Sequence, residues 1–237
     1  MILKEMITKW LVRDYCTPGI KAEVIIDMLI SEFVEEIVCA GLQLMEQETE
    51  IDKVQLILKE FPIQIDIKDN RNFKADYIVA DHKNKIMYLV EFKSADGSCS
   101  QKQKTRYDEV EERENNFGEY LKFAQKLVKD YGKEYVQPRS ATQMKGSRKY
   151  FFTGMMLNDG LNNPEHKVET YKINVQYLSL DNLPSAEDAI VIKEVVSSGE
   201  FEKIIKERKK YELWKEVEEI LKPLWSEGAD GWRKYFK

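Results

Sequence analysis

Two neighbouring runs of apolar and β-branched residues constrain the fold of this chain most strongly. The runs are Ala75–Ala80 and Lys85–Lys93, and only the four polar residues 81–84 separate them. A short polar connection between two such runs predicts a β-hairpin. A third run of the same type, Val54–Ile67, comes before them, so we expect three consecutive strands. Pro62 is expected to bend or split the first of these strands.

Segments with helical periodicity lie on both sides of the predicted strands. Hydrophobic residues recur at helical spacing from about Ile20 to Met45, and the pattern returns from Gln101 to about Tyr131. Two further strands and a charged amphipathic helix are predicted after them, at Tyr150–Leu157, Tyr171–Leu180 and Phe201–Leu221. This order of elements predicts an α/β fold in which helices flank a mixed β-sheet.

Length and composition favour one domain. The chain has 237 residues, of which 43% are hydrophobic, and this is enough for one substantial core. We therefore expect a single domain over residues 1–237, with its core at about 20–180. A short helix at the start, within residues 1–16, and a helical extension at 198–237 complete this prediction.

The sequence predicts a soluble, cytoplasmic protein. Charged residues interrupt the N-terminal segment every few positions, and no apolar stretch is long enough for a signal peptide or a membrane span. Three widely separated cysteines, Cys16, Cys39 and Cys99, are typical of structural thiols in a reducing compartment.

The net charge excludes a global attraction to nucleic acid, because it is −5 at neutral pH. Contacts with phosphates must therefore come from local patches. One candidate is the polar segment 137–149, which has no acidic residue and contains Arg139, Lys145, Arg148 and Lys149. A solvated connection explains this segment equally well, and both readings stay open.

Three charged residues on the predicted hairpin suggest a catalytic site. Asp76 interrupts an otherwise apolar strand, where a carboxylate is costly unless a partner compensates it. Strand alternation places Glu91 and Lys93 on one face of the next strand. If the two strands pair, Asp76 and Glu91 can bind one Mg²⁺ ion, and Lys93 can assist an attacking water. This is the minimal set for hydrolysis of a phosphodiester.

A cross-strand salt bridge on a half-exposed sheet is the alternative for each of these residues taken singly. The combined pattern, an Asp followed after fourteen residues by Glu-x-Lys, favours the site.

The same residues resemble the motif of the PD-(D/E)XK nuclease superfamily, also called restriction-endonuclease-like. Ala75-Asp76 stands where that family has Pro-Asp, and Glu91-Phe92-Lys93 is similar to its (D/E)-x-K. Gln103 and Tyr107 resemble the Q-x-x-x-Y motif of the RecB-like branch. The family core, in the order α-β-β-β-α-β, is also similar to the order predicted here. The chain departs from the family in having Ala75 for proline and no histidine before Asp76.

The resemblance implies a role for each matching residue. Asp76, Glu91 and the backbone carbonyl of Phe92 would bind Mg²⁺, with Mn²⁺ as a substitute, and Lys93 would assist the water. Gln103 and Tyr107 would contact the substrate or support the site. Many members also supply an acid from the first core helix, for which Glu36 is the best candidate because it lies beside the apolar stripe.

The resemblance further implies a nucleic-acid substrate, DNA more than RNA, without an iron–sulfur cluster or a membrane partner. A homodimer is common in such nucleases, although nothing in the sequence identifies an interface. The alternative is a catalytically silent nuclease-like fold that binds nucleic acid or protein in defence or anti-defence. The intact set of Asp76, Glu91 and Lys93 favours the enzyme, whereas the net acidity favours the binding module.

Overall fold

The computed structural model describes residues 21–63, 73–93, 101–113, 116–131, 167–180 and 188–226. Its contacts divide the chain into two compact units. The first comprises Met1–Ile51, Phe92–Cys99 and Tyr177–Lys237, and the second comprises Asp52–Glu91 and Ser100–Gln176. No helix in the described ranges is both long enough and apolar enough to span a membrane.

The helix predicted from about Ile20 to Met45 is confirmed, with a short irregularity in the middle. Helix α1 spans Lys21–Ile30, a single 3-10 turn follows at Ser31–Phe33, and helix α2 spans Val34–Leu44. Most residues of α2 are buried, which agrees with the apolar stripe of the sequence. Gly41 allows α2 to approach Ile190 closely, because a Cβ atom at that position would lie 2.5 Å from Cγ2 of Ile190.

Three consecutive antiparallel strands follow, as predicted. Strand β1 spans Val54–Ile63, β2 spans Phe73–Asp81, and β3 spans Ile86–Lys93. Pro62 does not split β1, and the register shifts instead between Leu56 and Leu58. A proline is tolerated here because β1 is the outermost strand on its side of the described sheet.

The turn between β2 and β3 is fixed by the buried side chain of Asp81. Its Oδ1 accepts hydrogen bonds from the backbone amides of Lys83 and Asn84, at 2.9 and 3.0 Å. Its Oδ2 accepts a third, at 2.8 Å, from the side-chain amide of Asn84. Such local bonds favour a tight turn, so this sequence closes the hairpin itself.

The helix predicted over Gln101–Tyr131 is in fact two helices. Helix α3 spans Gln101–Glu112 and α4 spans Phe117–Tyr131. Between them Asn116 pairs with Lys172 as an isolated antiparallel bridge, and the amide of Phe117 donates to the carbonyl of Tyr171. The sequence pattern runs through this point, so the break is caused by tertiary pairing.

Strands β4, at Lys172–Ser179, and β5, at Ile190–Val191, complete a five-stranded sheet in the order β1-β2-β3-β4-β5. β5 is parallel to β4, whereas the first three strands are antiparallel, so the sheet is mixed. Helices flank it, and the predicted α/β class is therefore confirmed. The predicted strand at 150–157 and helix at the start of the chain lie outside the described residues.

The last predicted helix is interrupted as well. After a short helix α5, at Ile192–Val196, the chain forms α6, at Gly199–Glu207, and α7, at Tyr211–Ser226. Ser198 caps α6, because its Oγ accepts from the amide of Phe201. Lys209 has a φ of 58°, a left-handed conformation that ends α6 and redirects the chain into α7.

Candidate functional site

Asp76 and Glu91 lie on paired neighbouring strands. Tyr77 pairs with Val90 and Ile78 with Leu89 in the antiparallel register of β2 and β3. Continuing this register by one residue puts Asp76 directly opposite Glu91. Side chains that stand opposite each other project from the same face, with Cβ atoms about 5 Å apart. The pairing of the two strands agrees with the hairpin that the sequence predicted.

The charged residues of β3 are buried. Glu91 is 3% exposed and Lys93, the last residue of the strand, is 5% exposed. Phe92, whose carbonyl was expected to bind the metal, lies between them and is buried too. A surface salt bridge on a half-exposed sheet does not describe such positions. Burying charges is costly, so these side chains need specific partners.

Helix α3 provides two such partners for Glu91. Tyr107 donates its hydroxyl hydrogen to Oε2 of Glu91 at 2.5 Å, and Nε2 of Gln103 donates to Oε1. Each carboxylate oxygen therefore accepts a hydrogen bond from a neutral side chain. Bonds of this kind to an ionised acceptor are among the stronger ones in proteins, and together they fix the orientation of the carboxylate.

Helical spacing explains why one helix can hold both oxygens. Gln103 and Tyr107 are four residues apart, so their side chains lie one above the other on the same side of α3. Tyr107 is held in place by an edge contact with Phe73, at 5.1 Å between ring centroids, and its hydroxyl lies 3.4 Å from the carbonyl oxygen of Lys74. The helix is thereby anchored to the start of β2.

The carboxylate oxygens of Asp76 and Glu91 are of the type that binds a small, hard cation with few protein ligands. In the described ranges there is no group of three or more His, Cys, Asp or Glu side chains that could hold a metal ion. Mg²⁺ commonly takes only one or two carboxylates plus waters. Asp76 and Glu91 meet that requirement, whereas a zinc-type site is not formed by these residues.

Glu36 has a partner of its own in the first unit. It is fully buried in α2, and Nζ of Lys210 lies 2.9 Å from its Oε1. The same ammonium group donates to the backbone carbonyl of Glu32 at 2.7 Å. The sequence suggested Glu36 as a catalytic acid, and the structure adds an ion pair with Lys210 at the α6–α7 junction, while Oε2 of Glu36 has no hydrogen-bond partner among the described residues.

A polar cluster at the other end of the hairpin was not predicted. Nδ1 of His82 lies 3.0 Å from the hydroxyl of Tyr171, and its Nε2 lies 3.0 Å from Oε1 of Gln55. Burial and the nearby charge of Asp81 raise the pKa of Tyr171, and they raise the pKa of Tyr88 to about 12. These contacts link β1, the turn and the start of β4, which indicates a structural role. A histidine in a turn sequence gave no signal for it.

The remaining predicted positions are only partly described. The basic residues Arg139, Lys145, Arg148 and Lys149, expected to contact nucleic acid, lie outside the described residues, and so do Cys16 and Cys99. Cys39 is buried in α2, and it forms no disulfide within the described residues.

No protein-family model, no curated protein and no solved structure matches this chain.

Proposed function

We propose that this protein is a Mg²⁺-dependent nuclease that hydrolyses phosphodiester bonds of DNA or RNA. The observation that supports the proposal most directly is the environment of Glu91. This buried carboxylate stands opposite Asp76 by register and is oriented on both oxygens by Gln103 and Tyr107. A carboxylate that serves only in an exposed salt bridge does not need a hydrogen bond from a side chain to each of its oxygens.

The chain's own residues have distinct roles in this proposal. Asp76 and Glu91 would hold Mg²⁺, together with the carbonyl of Phe92, and Mn²⁺ would substitute for it. Bound Mg²⁺ would supply a coordinated water of lowered pKa and stabilise charge on the phosphate. Gln103 and Tyr107 keep the Glu91 carboxylate from rotating. Lys93, two residues beyond Glu91 on β3, is a cation at the end of the strand, suited to orient a water or to neutralise phosphate oxygens.

The finer features of the proposal come from the sequence resemblance. They are membership of the restriction-endonuclease-like superfamily, a preference for DNA over RNA, a homodimer and a cytoplasmic setting. The order of helices and strands and the mixed sheet are compatible with the first of these features.

The decisive experiment measures cleavage of labelled single- and double-stranded DNA and RNA in Mg²⁺, Mn²⁺ or EDTA. We expect metal-dependent cleavage by the wild type and its loss, by about a hundredfold or more, in Asp76→Asn, Glu91→Gln and Lys93→Ala. Lys203→Ala, on the exposed face of α6, is the matched control and should cleave normally. Absence of cleavage of every substrate by a folded wild-type protein would overturn the proposal.

A catalytically silent binding module is the second candidate. The observation that favours it is that both oxygens of Glu91 already accept hydrogen bonds from Gln103 and Tyr107, as in a purely structural buried carboxylate. In that case Mg²⁺ and Mn²⁺ should not bind with measurable affinity. Calorimetric titration of the wild type and Glu91→Gln with Mn²⁺ separates the two candidates, because only a metal site loses heat of binding in the variant.

A further inference from the structure

The first seven residues of α3 have an unusual distribution of charge. Residues Gln101–Tyr107 contain three basic side chains and no acidic one, whereas Asp108–Glu112 contain four acidic ones. This order opposes the helix dipole, which favours acids near the start of a helix and bases near its end. The basic half therefore gains no stability from the helix dipole.

Two of these bases lie beside the pair that holds Glu91. Lys102 and Arg106 are four residues apart and share one side of α3, and each comes one position before Gln103 and Tyr107, respectively. Lys102 is exposed and Arg106 is partly exposed. The row they form therefore runs alongside the contacts to Glu91, within reach of solvent.

The start of β2 extends this row. The guanidinium carbon of Arg106 lies 5.8 Å from the ring centroid of Phe73, and Lys74 is the next residue. Nζ of Lys74 forms an ion pair with Glu60, in which both side chains remain accessible, at 36% and 64%. An ion pair so exposed contributes little and exchanges easily for another anion. We call Lys74, Lys102 and Arg106 the basic strip.

We propose that the basic strip binds the sugar–phosphate backbone of a nucleic-acid strand and leads it to Glu91, an inference that rests on the proposed nuclease function. Phosphates repeat along a strand, and Lys102 and Arg106 offer two cations one helical turn apart, to which Lys74 adds a third at the start of β2. Such contacts place a substrate without reading its sequence. The acids at Asp108–Glu112 repel phosphates. The bound strand must therefore leave the helix before its second half.

The test measures binding of fluorescent oligonucleotides by anisotropy in EDTA, so that cleavage cannot contribute. We expect Lys102→Glu/Arg106→Glu to weaken binding by on the order of tenfold for each lost phosphate contact at about 0.1 M salt, and to lower the salt slope by about 2. Lys203→Glu/Lys222→Glu changes the net charge equally, on exposed helical positions of α6 and α7, and should weaken binding much less. The neutral pair Lys102→Gln/Arg106→Gln serves if the charge reversal impairs folding.

Three results would overturn the inference. The first is equal weakening by the two charge-reversal pairs, which would mean a general charge effect. The second is unchanged binding in both strip variants. The third is an affinity that does not increase from a mononucleotide to a 20-residue oligonucleotide, which would mean a site for a single phosphate. If the strip variants lose binding and the wild type cleaves no substrate, the inference that the strip binds nucleic acid stands. Only the proposed nuclease function is then rejected.

Discussion

The hydroxyl of Tyr107 lies 2.5 Å from Oε2 of Glu91, a carboxylate that is 3% exposed. The two residues are sixteen positions apart in the chain, one on helix α3 and the other on strand β3. The contact joins the strand that contains the candidate metal ligand to the helix that contains two residues of the basic strip, Lys102 and Arg106. Removing the hydroxyl oxygen of Tyr107 therefore tests what this contact contributes to stability and to the proposed activity.

Tyr107→Phe removes that oxygen and leaves the ring in place against Phe73. We expect the free energy of unfolding to fall by about 1.5–3 kcal/mol, because a hydrogen bond to a buried charged group is lost. We also expect cleavage to fall by roughly tenfold or more through kcat, because Glu91 loses the hydrogen bond that orients its Oε2. Urea unfolding and single-turnover cleavage measure the two effects.

Tyr211→Phe is the matched control for this change. Tyr211 is partly buried in α7, and its ring contacts with Lys206 and Lys215 do not need the hydroxyl. Its stability and cleavage should stay near those of the wild type. If Tyr107→Phe behaves like this control, the hydrogen bond to Glu91 has no energetic weight.

Lys210→Met should destabilise the protein strongly. It leaves the carboxylate of Glu36, which is fully buried, without its cation and also removes the bond to the carbonyl of Glu32. The expected loss in the free energy of unfolding is about 3 kcal/mol or more. The double variant Glu36→Leu/Lys210→Met should recover most of this loss, because it leaves no unpaired carboxylate at position 36. Denaturant titrations of both variants check this, and equal stability of the two would contradict it.

Stability should decline at alkaline pH through Tyr88. Its pKa is raised from 10.0 to about 12 by burial and by the charge of Asp81, so folding favours the protonated phenol. The contribution is complete below pH 10, the unfolded value, and is lost as the pH rises through 12, since the unfolded state then binds fewer protons. The size is about 2–3 kcal/mol. Urea unfolding of the wild type and of Tyr88→Phe from pH 9 to 12 isolates this residue. The difference in unfolding free energy between the two should change with pH, and it should stay constant if the pKa of Tyr88 is ordinary.

Gly41→Ala should destabilise the protein although alanine is the better helix former. The new Cβ would lie 2.5 to 2.9 Å from three carbons of Ile190, and overpacking of this kind costs about 1–3 kcal/mol. Ile190→Ala makes room for the methyl group. The loss in the double variant should therefore be smaller than the sum of the two single losses, and simple additivity would show that the contact relaxes freely.

The hairpin was predictable because it depends on local patterns. Alternation indicated which residues of β3 share a face and the polar turn indicated the connection, whereas the register that sets Asp76 opposite Glu91 comes from the structure. The broken helices were not predictable. Asn116 leaves the helical pattern to pair with Lys172, and β5 is only two residues long, so neither produces a periodic signal.

The partner of Glu36 could not be predicted for a related reason. Lys210 reaches the backbone of Glu32 across 178 positions of sequence, and a helical wheel describes only one helix. The wheel placed Glu36 beside the apolar stripe, and its full burial agrees with that position. Which cation would accompany it there depends on packing between distant segments.

The separations along the chain also predict an order of folding. The contacts of Glu91 with Gln103 and Tyr107 close loops of only 12 and 16 residues, whereas the bond from Arg208 to the carbonyl of Ile51 spans 157. Short loops form faster than long ones because closing them costs less entropy. During synthesis the hairpin and α3 can therefore assemble before the C-terminal third of the chain has been made.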